Sequence, residues 1–199
     1  LSFDSIFEKN NKINKIIINS DENEIIELLK FVRAYKINVP VLYLENSVTT
    51  GKIIYDIIIE NNLKKSDKIL VTGKIIDSEL NIFRKKKFKN INFEFDYKNQ
   101  YLNINNLNFV HDGINFKSNN IYLNTKKNLI NIKGDFGNII NIDLIKNFSN
   151  IKIDKYLSEK ILLPSNSFFD ITLNNKFKVI NYEIKNKIKI DNISLKLKN

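Results

Sequence analysis

Between Lys89 and Ile132 the chain sets apolar and polar residues in turn over one short run after another. Ile91, Phe93 and Phe95 alternate with Asn92, Glu94 and Asp96. The pattern continues through Leu102 and Ile104, Leu107 and Phe109, Ile114 and Phe116, then Ile121 and Leu123. Successive side chains of a strand point to opposite faces, so each run predicts a strand with one buried and one wet face. Short polar segments at residues 98–100, 111–113, 117–120 and 125–128 predict turns between neighbouring antiparallel strands. The expected result is a meander with one apolar surface, facing either another layer of the same protein or a lipid.

The first segment reads as strand, helix and strand. Ile13, Ile16, Ile17 and Ile18 form a β-branched run, and Ser20-Asp21 reads as a break. Asp21 and Glu24 have capping-box spacing, and Ile25, Leu28, Leu29 and Val32 recur at helical spacing. These predict an amphipathic helix over residues 22–35 that lies on a sheet and stops before Pro40. From residue 41 strands of about six to nine residues are expected. A run over residues 52–60 reads as covered on both sides. The next spans residues 69–76 with a bulge or bend at Gly73, and Asp77-Ser78 turns into residues 80–83. The cationic cluster 84–89 marks a further bend.

After the meander, residues 133–137 read as a turn, and residues 138–148 and 154–163 as short helices, the second ended by Pro164. Residues 168–173, 176–184 and 187–197 return to alternating strands. The predicted fold is mainly β with a few helices: an antiparallel meander with one apolar face, and one amphipathic helix near the N-terminus. A closed α+β domain fits the same alternation, because the helix and the later strands could seal the apolar face. A parallel β-helix fits less well for want of an even coil length.

Composition narrows the functional classes. The chain has 199 residues, 43% of them hydrophobic, which is enough to bury a core. Its net charge is +10, but Asn, Ile and Lys each make up about one residue in six. All three have A/T-rich codons, so a genome of low GC content explains the basic surface without an anionic partner. Cysteine is absent, which excludes disulfides, thiolate metal sites and a cysteine nucleophile. Methionine is also absent, so Leu1 reads as an internal position of a longer chain. Residues 1–199 are expected to be one segment, with a helix and strand layer over 21–137 and further short elements over 138–199. Apolar runs such as 53–59 are far shorter than the roughly 20 residues of a spanning helix.

No constellation of catalytic residues stands out. Thr50-Gly51-Lys52 and Thr72-Gly73-Lys74 lack both the earlier glycine and the following Ser or Thr of a phosphate-binding loop. Asp135-Phe136-Gly137 spells a kinase triplet without its context. His111 is the single histidine and lies in a sequence of turn composition. Glu94 and Asp96 fall on the wet side of their strand, while Asp21, Glu22 and Glu24 fall in the first turn of the predicted helix. No enzyme activity, metal or cofactor is expected. The basic residues 84–89 with Phe88, beside Phe93, Phe95 and Tyr97, offer a platform for single-stranded nucleic acid only if those aromatics face outward.

Several segments together resemble the AsmA-like proteins of Gram-negative bacteria. They are the helical stretch 24–33, Val39-Pro40, the run Gly51-Lys52-Ile53-Ile54-Tyr55-Asp56-Ile57, then Val71-Thr72-Gly73-Lys74-Ile75, and the alternating stretch from Phe88 through Phe116 to Gly134. The likeness is closer to the large YhdP-type members and more distant to the TamB group, and it spans residues 21–134, punctuated by Gly73, Gly113 and Gly134. It implies a twisted antiparallel meander curled into an open groove, in a non-enzymatic segment of a bridge-like lipid carrier in the periplasm, anchored to the inner membrane through a segment outside this chain. Phospholipids moving between the inner and outer membranes are the implied partners, with other envelope proteins as further partners. The implied groove lining is Phe93, Phe95, Leu102, Ile104, Leu107, Phe109, Ile114, Phe116, Ile121 and Leu123. A structural or binding module of a large envelope protein is the alternative.

Overall fold

A computed structural model describes residues 2–7, 13–35, 39–60, 68–82, 86–126, 128–141 and 162–189. Ten strands follow in chain order: β1 (Ser2–Phe7), β2 (Ile13–Glu24), β3 (Val48–Glu60), β4 (Lys68–Ile82), β5 (Lys86–Lys98), β6 (Tyr101–His111), β7 (Ile114–Lys126), β8 (Leu129–Asn141), β9 (Leu162–Asn174) and β10 (Val179–Ile188). Two helices, α1 (Ile25–Tyr35) and α2 (Val39–Ser47), lie between β2 and β3. Each strand pairs antiparallel with the one before it, giving one sheet of order β1 to β10. The sheet is an open, curled meander that does not close into a barrel.

Two-residue turns set the register in the middle of the sheet. Asn99 and Gln100 (φ 51° and 72°) join β5 to β6, and Asp112 and Gly113 (φ 49° and 77°) join β6 to β7. Two successive left-handed residues give the turn whose twist matches that of the flanking strands.

Curvature comes from a band of irregularities crossing the strands. The register shifts beside Asp77, Asn90 and Asn92, and Asp77, Asn90 and Asn106 all have positive φ (46°, 52° and 54°). A bulge bends its strand and increases the local twist. Asn92 ties two of these bulges together: its Nδ2 donates to Asp77 Oδ1 and to the Asn90 carbonyl, and its Oδ1 accepts from the Asp77 amide, each at 3.0 Å. We expect Asn92→Ala to lower stability by about 1–2 kcal/mol in urea unfolding, because three exposed hydrogen bonds return to water.

Several expected turns are strand interior. Residues 117–120 lie inside β7, where the register with β8 shifts between Lys117 and Ile121. Asp77-Ser78 is a bulge within β4, and residues 133–137 run straight through β8. Strands are therefore 10 to 15 residues long apart from β1 and outrun the expected six to nine. Gly73 is not a bulge: it pairs regularly with Tyr55 and Phe95. A Cβ there would lie 2.5 Å from the Ile54 carbonyl oxygen and 2.7 Å from Phe95 Cζ, so the missing side chain makes room for the Phe95 ring. Gly134 does the same for Phe169, whose Cζ would be 2.8 Å from an added Cβ. Gly73→Val should cost about 3 kcal/mol or more in thermal or denaturant unfolding, since a backbone oxygen cannot give way as a side-chain tip can.

Helix α1 starts at Ile25, three residues later than expected. Asn23 and Glu24 are held in the sheet opposite Ile53 and Lys52, and Lys52 also pairs with Glu22. Asn23 Nδ2 donates to Ser20 Oγ and to the Asp21 carbonyl (both 2.6 Å), so a polar bulge of β2 stands where the cap was expected. Helix α2 is new relative to the sequence reading. Pro40 falls in its first turn, where a missing amide hydrogen costs no helical bond. Arg33 of α1 pairs with Glu45 of α2 at 3.1 Å.

Both helices pack on the β2–β4 end of the sheet. Ile25, Val48, Ile53 and Ile75 form the buried cluster there, with Ile26, Leu28, Leu29, Tyr55, Leu80, Phe93 and Phe95 around it. The opposite side of β3 is open, with Ile54 exposed, so the expected two-sided cover of that strand is not found. The expected helices at 138–148 and 154–163 fall mostly on residues outside those described. Residues 138–141 belong to β8, and Leu162-Leu163-Pro164 opens β9. The strand expected from residue 187 begins inside β10, and its later part lies outside the described residues.

Candidate functional site

The register places the apolar residues of successive strands side by side. From β2 to β10 one lateral row runs Ile18, Ile57, Val71, Tyr97, Leu102, Leu123, Ile132, Ile171, Tyr182. Every member is aliphatic or aromatic. The adjacent row on the same face runs Ser20, Tyr55, Gly73, Phe95, Ile104, Ile121, Gly134, Phe169, Ile184. Eight inter-strand steps of about 4.8 Å make each row about 38 Å long.

All ten residues expected to line a groove fall on this face. Phe93 pairs with Ile75, Phe95 with Ile104, Leu102 with Leu123, Ile104 with Ile121, Leu107 with Ser118, Phe109 with Phe116, and Ile114 with His111. Leu102 and Ile104 keep the same face as Leu107 and Phe109 because the left-handed Asn106 absorbs one residue between them. The shift between Lys117 and Ile121 does the same for β7.

They do not share one environment. Phe93 and Phe95 adjoin the cluster covered by α1. Phe109 and Phe116 belong instead to a second group further along the sheet. Their rings stack at 5.0 Å, Phe136 meets Phe109 edge-on at 5.6 Å, Phe136 stacks on Phe169 at 5.1 Å, and Phe88 meets Phe109 at 5.7 Å. All five are only half-buried, and no second layer covers them among the described residues. The α1 cluster is the two-layer part of the described structure; elsewhere on this face the buried apolar side chains are Ile91, Ile121 and Leu163, and no described side chain is less than 2% exposed.

The sequence reading missed Phe136, Phe169, Ile132 and Ile171. Phe136 was hidden in an expected turn, and Gly134, which makes room for Phe169, gave the local sequence its turn-like composition.

The outer face carries most of the charged and amide side chains, together with the exposed Ile54, Tyr101, Tyr122, Ile139 and Phe168. Asp96 accepts from Asn103 Nδ2 at 2.8 Å and from Asn105 Nδ2 at 3.4 Å, and Lys133 pairs with Asp170 at 2.7 Å. Glu94 accepts from Asn106 at 3.4 Å, so Glu94 and Asp96 serve side-chain amides of their own sheet. Lys74 lies opposite Glu94, on the side away from Phe93 and Phe95. Of the described part of the basic cluster, Lys87 and Lys89 lie on the face away from Phe88, while Lys86 shares its face. Phe88 stacks on His111 at 4.4 Å. The His111 Nδ1–H donates to the Lys87 carbonyl at 2.9 Å, which fixes the ring at the end of its hairpin.

The hydrogen bond from Lys52 to Glu22, aided by their attraction, raises the Lys52 pKa above its ordinary value. Among the described residues no three acidic or histidine side chains gather as a metal site, and no helix is long and apolar enough to cross a membrane. One depression of about 510 Å³ lies among Gln100, Thr125, Lys126, Asn128, Asn175 and Phe177 at the hairpin ends, away from the aromatic group. What distinguishes the described sheet is a broad apolar face, mostly half-buried over β5–β9, with Ile91, Ile121 and Leu163 buried within it. No family model, curated protein or solved structure matches the chain.

Proposed function

We propose that the apolar face of β5–β9 holds the acyl chains of phospholipids, and that this chain is a non-enzymatic segment of a bridge-like lipid carrier of the AsmA-like kind. The observation that carries this reading is the unbroken apolar row from Ile18 to Tyr182, covered by helices only at its β2–β4 end among the described residues. An acyl chain in a bilayer spans about half of the roughly 30 Å hydrocarbon core, or about 15 Å. A row of about 38 Å accommodates two such lengths end to end. Each methylene transferred from water contributes about 0.8 kcal/mol, so a trough needs no specific polar contact to retain a lipid. Head groups would stay in water along the rim, and passage between inner and outer membranes in the periplasm is the setting that this reading implies.

Native mass spectrometry of the gently purified chain tests it, followed by solvent extraction of whatever is bound. Phospholipid masses on the folded protein are expected. A chain that arrives lipid-free and also takes up no fluorescent fatty acid would contradict the reading.

A further inference from the structure

Strand β10 forms one edge of the sheet, and its outer side has no strand partner among the described residues. Its register with β9 is unbroken from Asn181 to Ile188, and it contains no proline, so it is a regular edge able to accept another strand. The Lys189 amide donates to the Pro164 carbonyl across this pairing. Backbone groups alternate in direction along a strand, so Lys187, Lys185 and Glu183 turn theirs toward β9, whereas Ile188, Asn186, Ile184 and Tyr182 turn theirs outward.

We propose that β10 pairs antiparallel with β10 of a second copy about a two-fold axis at Ile184. In that register Ile184 faces Ile184 of the other copy as a hydrogen-bonded pair, and Tyr182 faces Asn186. Glu183 faces Lys185 twice over at the closer, non-hydrogen-bonded positions. Within one chain these two exposed side chains are already ion-paired at 2.8 Å on the outer face. Edge lysines ordinarily discourage pairing. Here they select a register: moving the axis to Asn186 would set Lys185 against Lys187, while the axis at Ile184 makes every close charge pair opposite. The apolar row then continues through the axis as Phe169, Ile184, Ile184 and Phe169, joining the apolar faces of both copies. Ile184 is 55% exposed and Tyr182 66%, so both have surface to lose on pairing. The inference stands independently of what the apolar face binds.

Sedimentation velocity on the wild type and on charge variants tests it, with circular dichroism to show that these exposed substitutions leave the fold intact. The wild type should dimerise. Glu183→Lys and Lys185→Glu should each associate about tenfold or more weakly, since each sets like charges opposite one another twice. An equal mixture of the two single variants, and the double variant carrying both substitutions, should regain association. A wild type that stays monomeric would overturn the proposal, as would a Glu183→Lys variant that dimerises as tightly as wild type or a mixture that fails to regain association.

Discussion

Replacing Phe109 and Phe136 together by aspartate is expected to abolish acyl-chain binding while the strands remain formed. Both rings lie in the uncovered aromatic group, edge-on to one another at 5.6 Å. Because they are half-buried and no second layer packs on them among the described residues, two carboxylates there remain hydrated in the lipid-free protein. A methylene chain laid across them would strip that water, at a cost of several kcal/mol. Affinity for a fluorescent fatty acid should fall by about 100-fold or more, with the far-ultraviolet dichroism of the wild type retained. Loss of the β signal in this variant would mean that the group is a closed core.

The opposite outcome is expected at Ile75. It is buried within the cluster of Ile25, Val48 and Ile53 beneath α1, and it sits in the sheet between Ile53 and Phe93. Ile75→Asp places a carboxylate where helix and sheet exclude water, a cost above about 4 kcal/mol against a total stability of about 5–15 kcal/mol. Cooperative unfolding should disappear or shift to far lower denaturant, with lipid binding lost as a consequence. Phe95 is intermediate. It adjoins the covered cluster and lies over Gly73, so Phe95→Asp should lower both stability and binding and separates the two roles less well than Phe109.

Much of the sheet was legible because its faces differ in chemistry. The alternation at Phe93 and Phe95, Leu102 and Ile104, and Phe109 and Phe116 identifies strands, and in the structure each of these residues lies on the apolar face. The antiparallel meander was likewise expected from the short polar connections, whereas its openness was expected only from the family resemblance. Turns and bulges were harder to separate, because Asn, Asp and Gly serve both. Asp112-Gly113 is a true hairpin turn, whereas Asp77-Ser78 has the same local character and sits within a 15-residue strand. The deciding factor is pairing with β3 and β5 across the sheet, which no local window contains.

The change of phase between Ile104 and Leu107 was a readable sign of the bulge at Asn106, as was that between Phe116 and Ile121 for β7. Helix α2 was missed because Pro40 reads as a terminator when it is in fact a first-turn residue. The partition of the apolar face into a covered end and an uncovered remainder depends on where α1 and α2 dock, which is a long-range property. Alternation alone is equal on both parts.

The most direct test places a photoreactive benzoyl-phenylalanine at Leu123, on the apolar face opposite Leu102 and Ile132, and separately at its neighbour Tyr122, which points to the outer face. After irradiation in cells, phospholipid attached at position 123 and not at position 122 is predicted. Equal attachment at both positions, or cross-links from position 123 only to the protein's own chain, would contradict a lipid-bearing face.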